Sequence, residues 1–583
     1  MKRRSGNKLI CQLVVLSFYL MNHSSLAQQP DWAFYLENSD GLFPKGSSVA
    51  SDLNGNIYLT GTFSDTIDMD PGSGVVKYLS PGAENIYVAK YSGNRQLLWS
   101  FSLASSLNNN TNYAYDIWSD NHGSVYITGS FTDSIDFDPG PAVFRLYPHM
   151  ITDFFLAKYD TSGNFNWAFN LGSSAFGTIR GLSVTTDNNL NVIVTGDFDR
   201  SIDFDPSANA NILTAIGDED AFLASYTRNG DFRWVIQIGD TSSLLYQRTS
   251  AVCDPSGNIY WSGAFEYSPD FDPGPGAYNL VSSGDLDVFL AKYDSSGNFL
   301  RAFSIGSPQL EEGNSIAIDS AYNIYIGGTF GLTVDFDPGP ANYSLTSLTA
   351  LNAFVAKYDS SFQLKWARVF QSTGNSFLYE LTTLNNADVL IAGNFYNTMD
   401  ADPSASAFYV QSIQQSIDGM IIQLDSSGLL KAVVNYGDID NDYGYSLASM
   451  PGNSFAISGG FTGTIDLEPG SGSFLLSSSD PLQVTFLAKY SSLITSSSTT
   501  AKQDLQLVNF YPNPVMNELT VSNSTVEIIS FEIFSVEGKL MFSENEMTPG
   551  KHKIVFDNFS NGIYFLSIHK KQNFQFSKLV VNK

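Results

Sequence analysis

Short apolar-rich runs, each closed by Gly, Asn or Asp, alternate along most of this chain. Residues 104–172 hold four of them: Ala114-Tyr115-Asp116-Ile117-Trp118, Val125-Tyr126-Ile127-Thr128-Gly129-Ser130-Phe131, Phe154-Phe155-Leu156-Ala157-Lys158-Tyr159 and Phe165-Asn166-Trp167-Ala168-Phe169-Asn170-Leu171. Runs of β-branched and aromatic residues between turn residues predict strands. No stretch of this region sustains the 3.6-residue apolar period of a helix.

The four-run unit recurs. An acidic turn begins at Asp68, Asp136, Asp203, Asp270, Asp335, Asp400 and Asp466, in steps of 68, 67, 67, 65, 65 and 66 residues. Five copies carry two aspartates around one apolar residue and run on into Pro: Asp68-Met69-Asp70, Asp136-Phe137-Asp138, Asp203-Phe204-Asp205, Asp270-Phe271-Asp272 and Asp335-Phe336-Asp337. The last two drift, to Asp400-Ala401-Asp402 and Asp466-Leu467-Glu468. The third strand recurs as Phe155-Leu156-Ala157-Lys158-Tyr159 and its equivalents, and the fourth as Trp99-Ser100-Phe101, Trp167-Ala168-Phe169, Trp234-Val235-Ile236 and Trp366-Ala367-Arg368. Four strands at a fixed period predict the blades of a seven-bladed β-propeller. The seventh repeat lacks a fourth strand, while Trp32-Ala33-Phe34-Tyr35-Leu36 stands alone before the first. That N-terminal strand is expected to complete the last blade, because an open sheet edge invites aggregation.

The units Gly55-Asn56-Ile57-Tyr58-Leu59-Thr60-Gly61-Thr62-Phe63 and Phe289 to Gly297 resemble those of the bacterial β-propeller repeat family, over roughly residues 30–492. This resemblance implies a fold and leaves function open, since propellers host unrelated activities.

Both ends differ from the repeats. Residues 1–27 read as a secretory signal: Lys2, Arg3, Arg4 and Lys8, then a mostly apolar run, then Ser25-Leu26-Ala27. The apolar run is too short to span a bilayer, and no other segment is expected to cross one as a helix. Residues 493–503 read as a Ser/Thr-rich linker. Residues 504–583 have no acidic turn and carry Tyr511-Pro512-Asn513-Pro514, Glu518-Leu519-Thr520-Val521, Ile533 to Lys539, Gly562 to Leu566 and Lys578 to Val581. Their short alternating strands suggest a small Ig-like β-sandwich. These motifs are similar to the C-terminal sorting domain of the Bacteroidetes type IX secretion system. That similarity implies that residues 504–583 engage the secretion machinery, and that the protein reaches the cell surface or is released. The whole chain is thus read as all-β, with the propeller over residues 28–492.

The formal charge is −28. The signal adds only basic residues and residues 504–583 are nearly balanced, so the excess acid lies in the propeller. Such a surface repels phosphate backbones, and no nucleic-acid partner is expected. Cys253 is the one cysteine outside the signal, so packing and not disulfides must hold the fold.

The acidic turns carry the candidate chemistry. If the loops between second and third strands open beside the inter-blade connections, all seven turns ring one face. Asp68, Asp70, Asp136, Asp138, Asp203, Asp205, Asp270, Asp272, Asp335 and Asp337 are then candidate ligands for Ca2+, which prefers hard oxygen donors. The competing reading is structural, because Asp-Pro-Gly is good turn chemistry and the first Asp is able to cap loop amides. A further acid, or Asn352, precedes many third strands: Glu84, Asp153, Asp220, Asp287 and Asp418. No catalytic set stands out: the carboxylates are near-equivalent from repeat to repeat, and His122 and His149 are the only histidines of the repeats. The sequence therefore reads as an exported binding or adhesion protein with a surface glycan or protein ligand. An extracellular polysaccharide hydrolase or lyase is the first alternative, and a structural surface-layer component the second.

Overall fold

The repeats fold as seven four-stranded antiparallel sheets. The computed structural model describes residues 29–37, 48–105, 111–240, 249–404, 407–468, 473–480, 482–491 and 493, and, toward the C-terminus, 508–511, 515, 517–523, 529–535, 539–548, 550–570 and 573–581. The signal read at residues 1–27, nearly all of the linker and Pro512-Asn513-Pro514 lie outside the described residues.

Blade 2 shows the plan: first strand Tyr113–Ser119, second Ser124–Phe131, third Asp153–Asp160, fourth Phe165–Leu171, paired in that order. The second and third strands bury every residue up to the final Asp160, whereas the first and fourth alternate. A strand covered on both faces reads as a continuous apolar run, and one facing a neighbour on one side alternates. The first strands form the inner ring, each touching those of the two neighbouring blades. Two faces result. The turns within a blade between strands one and two, and three and four, make the turn face. The passages from each fourth strand to the next first strand make the connection face.

The ring closes through the N-terminus. Trp32–Leu36 pairs antiparallel with Val484–Tyr490, from Trp32 opposite Lys489 to Leu36 opposite Thr485, and becomes the outer strand of blade 7. Phe34 and Leu36 are buried by this pairing, and Asp31 bridges Lys489 at 3.1 Å.

Neighbouring blades are clamped by two side chains that recur. The fourth-strand Trp donates its indole N–H to a carbonyl in the next blade's three–four turn: Trp32 to Gly93 (3.0 Å), Trp99 to Thr161 (3.1 Å), Trp167 to Arg228 (3.2 Å), Trp234 to Ser295 (3.2 Å) and Trp366 to Ser426 (3.1 Å). The third-strand Lys reaches the same turns, as Lys90 does Thr161 (2.9 Å) and Lys357 does Ser426 (3.1 Å). Blade 4 has Arg301 at the Trp position, and it donates to the Ser361 carbonyl of the next blade.

The C-terminal segment is a separate unit. Val508–Tyr511, Glu518–Asn523 and Gly550–Val555 form a three-stranded sheet; Leu540–Met547, Ile529–Ser535, Gly562–Lys570 and Asn573–Val581 form a four-stranded one. Val515, Leu519, Val521, Ile533, Ile554 and Phe556 belong to one buried cluster.

Candidate functional site

The acidic turns do not ring the connection face. After the second strand the chain folds back along its own blade, so that the hairpin tip reaches the three–four turn at the outer wall. In blade 2, Phe144 on the returning arm packs on Phe165 at the start of the fourth strand, while Tyr147 takes a hydrogen bond from Asn170 near its end. In blade 1, Arg95 of the three–four turn donates to the Pro71 carbonyl (2.7 Å). Two interactions draw the hairpin back. The apolar residue between the two acids is fully buried: Met69, Phe137, Phe204, Phe271, Phe336, Ala401 and Leu467. Its carbonyl accepts the hydroxyl of the third-strand Tyr, as Met69 does from Tyr91 (2.9 Å), Phe137 from Tyr159 (2.9 Å) and Phe336 from Tyr358 (2.8 Å). Blade 6 has Leu424 at the Tyr position, and there the motif shrinks to Ala401.

The aspartates themselves hold the hairpin. In each of the five matched copies Oδ1 of the first Asp accepts two backbone N–H groups: Asp68 from Asp70 and Val76, Asp136 from Asp138 and Phe144, Asp203 from Asp205 and Asn211, Asp270 from Asp272 and Tyr278, Asp335 from Asp337 and Tyr343. The second Asp caps the turn, as Asp70 does for Gly72 and Asp138 for Gly140. The ten candidate ligands lie two to a blade around the outer wall. Among the described residues, no group of three or more His, Cys, Asp or Glu side chains is placed to hold a metal ion.

A second set of acids is buried between blades. Register puts Asn85, not Glu84, in line with Asp153, Asp220, Asp287, Asn352 and Asp418 ahead of the third strand. Where that residue is Asp, a Gly directly follows the fourth strand (Gly172, Gly239, Gly306 and Gly437), and a Cβ there would collide with the carboxyl. In two interfaces a second acid enters from the next blade. Burial pushes Asp287 up to about 6 and its neighbour Glu311 up to about 7. Burial likewise raises Asp418 to about 7 and Asp442 to about 9, the latter also repelled by Asp418, Asp438 and Asp440. Asn85 with Asn112 is the neutral version of such a pair, joined by a 3.0 Å hydrogen bond.

A belt one residue deep bridges five of the seven steps between first strands. Ser446 Oγ accepts the Val49 N–H (3.0 Å), Ser48 the Ile117 N–H (3.3 Å), Asp116 the Val184 N–H (2.8 Å), Ser315 the Leu381 N–H (3.1 Å) and Glu380 the Leu447 N–H (2.9 Å). Burial lifts Asp116 to about 6, against hydrogen bonds from Val184 and Ser48.

Immediately above this belt, where the first strands begin at the connection face, equivalence between blades breaks down. The position before the belt is Tyr115, Leu182, Thr249, Asn314, Tyr379 and Tyr445 in blades 2 to 7; all six of these blades carry a register shift or a strand start here. The second-strand position that pairs two residues earlier, opposite Tyr113, Arg180, Glu312, Phe377 and Tyr443 in blades 2, 3, 5, 6 and 7, is Thr62, Ser130, Asp197, Ala264, Thr329, Asn394 and Gly460 in blades 1 to 7. Two arcs of different chemistry result. In blades 2 and 3, Arg180 donates to Asp197 (2.7 Å) and Glu219 (2.5 Å), beside Tyr115. Burial holds both carboxyls above the ordinary range in spite of the guanidinium. In blades 6 and 7, Tyr443 stacks on Tyr445 (centroids 5.7 Å apart, planes 7° apart), Tyr379 leans on Tyr445 at 5.9 Å, and Tyr445 donates to Gln483 (3.1 Å). The tyrosines are half-buried. Between and beside the arcs, Asp197 Oδ2, Thr249 Oγ1, Asn314 Oδ1, Thr329 Oγ1 and Asn394 Oδ1 are buried without a protein partner. Buried polar atoms nearly always have one.

Sequence reasoning had singled out the positions that repeat, and so passed over this mouth. The signal was present as its inverse: superposing the seven repeats and asking where Tyr, Arg, Asn, Asp and Thr exchange for one another.

Residues 509–582 match the secretion system C-terminal sorting domain. The chain thus carries a type IX sorting tail, which directs export to the cell surface or the extracellular space. Among the described residues no helix is long and apolar enough to cross a membrane. An uncharacterized WD repeat-containing protein of Acanthamoeba polyphaga mimivirus is 26% identical over 514 residues, covering 63% of this chain and 36% of its own length. An ulvan lyase of Nonlabens ulvanivorans is 30% identical over 81 residues, 14% of this chain and 15% of that protein. The chain spans about a third or less of the length of these curated relatives. The extracellular domain of a hybrid two-component system of B. thetaiotaomicron aligns over 95% of this chain and 100% of its own, at 10% identity and a TM-score of 0.16.

Proposed function

We propose that this protein is an exported, non-enzymatic binding protein whose ligand site is the channel mouth on the connection face. One observation carries the reading: residues that clamp the blades recur from repeat to repeat, while those at the mouth diverge into Tyr, Arg, Asn and Thr and leave buried polar atoms without partners. A fold role favours sameness in every blade; a single asymmetric ligand favours difference. Residues 504–583, read as a small sandwich of two sheets, serve export, after which the propeller presents its mouth to a surface glycan or protein. The acidic turns are assigned to hairpin stability, with calcium as the competing assignment.

The test is affinity capture on the purified full chain, comparing wild type with Tyr445→Ala. A partner or polysaccharide retained by wild type and lost by the variant supports the site. Retention that ignores the substitution would move the site elsewhere.

A second reading has its own observation. Arg180 beside two carboxyls of raised pKa is the polar convergence that an extracellular polysaccharide hydrolase or lyase requires. Release of reducing or unsaturated ends from a polysaccharide, abolished by Asp197→Asn with folding intact, would establish it in place of binding.

A further inference from the structure

The chemistry of the mouth narrows what it takes. Five of its buried oxygens lack a partner, and four are neutral: the amide oxygens of Asn314 and Asn394 and the hydroxyls of Thr249 and Thr329; the fifth is one carboxyl oxygen of Asp197, whose other oxygen Arg180 already holds. Asn314 is 8% exposed, Asn394 2%, Thr249 5%, Thr329 0% and Asp197 2%. The orientation of Asn314 follows from its surroundings, because its Nδ2 donates to the Leu378 carbonyl at 2.8 Å and only the amide nitrogen is able to do so. Its oxygen is therefore left as an acceptor. A site short of donors calls for a ligand that brings hydroxyl or amide hydrogens.

Charge argues in the same direction. Among the described residues at the start of the first strands the cation is Arg180, and it already bridges Asp197 and Glu219. No guanidinium there is left over for a carboxylate, sulfate or phosphate, and the acidic propeller repels anions at longer range. A cationic ligand would be drawn to carboxylates, yet four of the five partnerless atoms are amide and hydroxyl oxygens, and the fifth belongs to Asp197, which is already paired with Arg180. On the same side, Tyr443 and Tyr445 form a half-buried stacked pair with Tyr379 against it. Flat aromatic surface beside a few fixed polar atoms suits a ring with apolar C–H faces and an equatorial rim of hydroxyls.

We propose that the mouth binds an uncharged carbohydrate, with Tyr443 and Tyr445 meeting the pyranose face and Asn314, Thr329 and Asn394 accepting its hydroxyls. This rests on the channel mouth being the ligand site. The test is calorimetric titration of the full chain with neutral laminarin, xyloglucan and galactomannan, with anionic polygalacturonate, and with cationic chitosan, repeated on Tyr445→Ala and Asn314→Leu. Binding of a neutral polymer, weakened at least tenfold by each substitution while the melting temperature holds, is the expected result. Binding of polygalacturonate or chitosan in preference to every neutral polymer, with the same loss in both variants, overturns the carbohydrate class proposed and leaves the mouth as the site. Binding that neither substitution weakens overturns both. No binding to any of the five overturns the carbohydrate inference, and affinity capture with Tyr445→Ala then decides the mouth on its own.

Discussion

The walls between blades and the mouth of the channel are made from the same seven repeats, yet they have diverged in opposite ways. At the walls, Trp, Lys, Tyr and the residue inside the acidic turn recur, because every blade must solve the same packing problem against its neighbour. At the mouth, one strand position holds Leu182, Thr249, Asn314 and three tyrosines. A repeat protein is stabilised largely by nearest-neighbour interfaces, so uniformity marks positions under that constraint. Positions released from it are free to serve a ligand. Stability and binding are therefore expected to separate by location, and mutations are able to break that separation.

The largest effect falls on ring closure. Deleting residues 29–37 removes Phe34 and Leu36 from the core, about 3–6 kcal/mol from these two side chains, and bares the edge of Val484–Tyr490. The melting temperature should fall and oligomers should appear on size exclusion; an unaltered monomer would mean that the closing strand is dispensable. Next comes the acidic hairpin. Phe204→Ala should cost about 3–5 kcal/mol by leaving a cavity. Asp203→Ala should cost about 2 kcal/mol by orphaning two amides, read as denaturation midpoints. Calcium added to metal-stripped protein should leave the melting temperature unchanged, and a clear rise would return the aspartates to a metal role.

The buried acid pairs give a pH dependence of defined sign. Asp287, Glu311, Asp418 and Asp442 are held above their ordinary values of 3.8 for Asp and 4.5 for Glu, at about 6, 7, 7 and 9. The folded state keeps protons that the unfolded chain has already released, so the stability they contribute is full below about pH 4 and is lost as pH rises toward 9. Asp442→Asn should flatten that slope and stabilise the protein at pH 8 by about 1–3 kcal/mol, since one carboxyl oxygen of Asp442 is buried without a partner. A slope that survives the substitution would place the protons elsewhere. The smallest stability effect belongs to the mouth: Tyr445→Ala should cost less than about 1 kcal/mol, because its ring is half-exposed. A loss as large as that of Phe204→Ala would make the mouth another wall and remove the contrast.

Local chemistry determined much of this protein. Four runs per repeat, a constant period and an unmatched Trp32–Leu36 lead to seven blades without any knowledge of contacts, because strand propensity and turn residues act over a few positions. The sorting tail was legible for the same reason, as a run of motifs read in order. Tertiary structure decided where the chemistry sits. The acidic turns had looked like a ring on the connection face; only burial of Phe137 and its equivalents, and the reach of Tyr159 and its equivalents to the carbonyl between the acids, fold each hairpin back to the outer wall. The mouth needed more still. Arg180, Asn314 and Tyr445 come from three blades, 131 and 134 residues apart along the chain or more, and they share one opening only because seven first strands close into a ring. Spacing along a chain records what each blade requires of its neighbour, whereas a site at the centre of the ring exists only once all seven are in place.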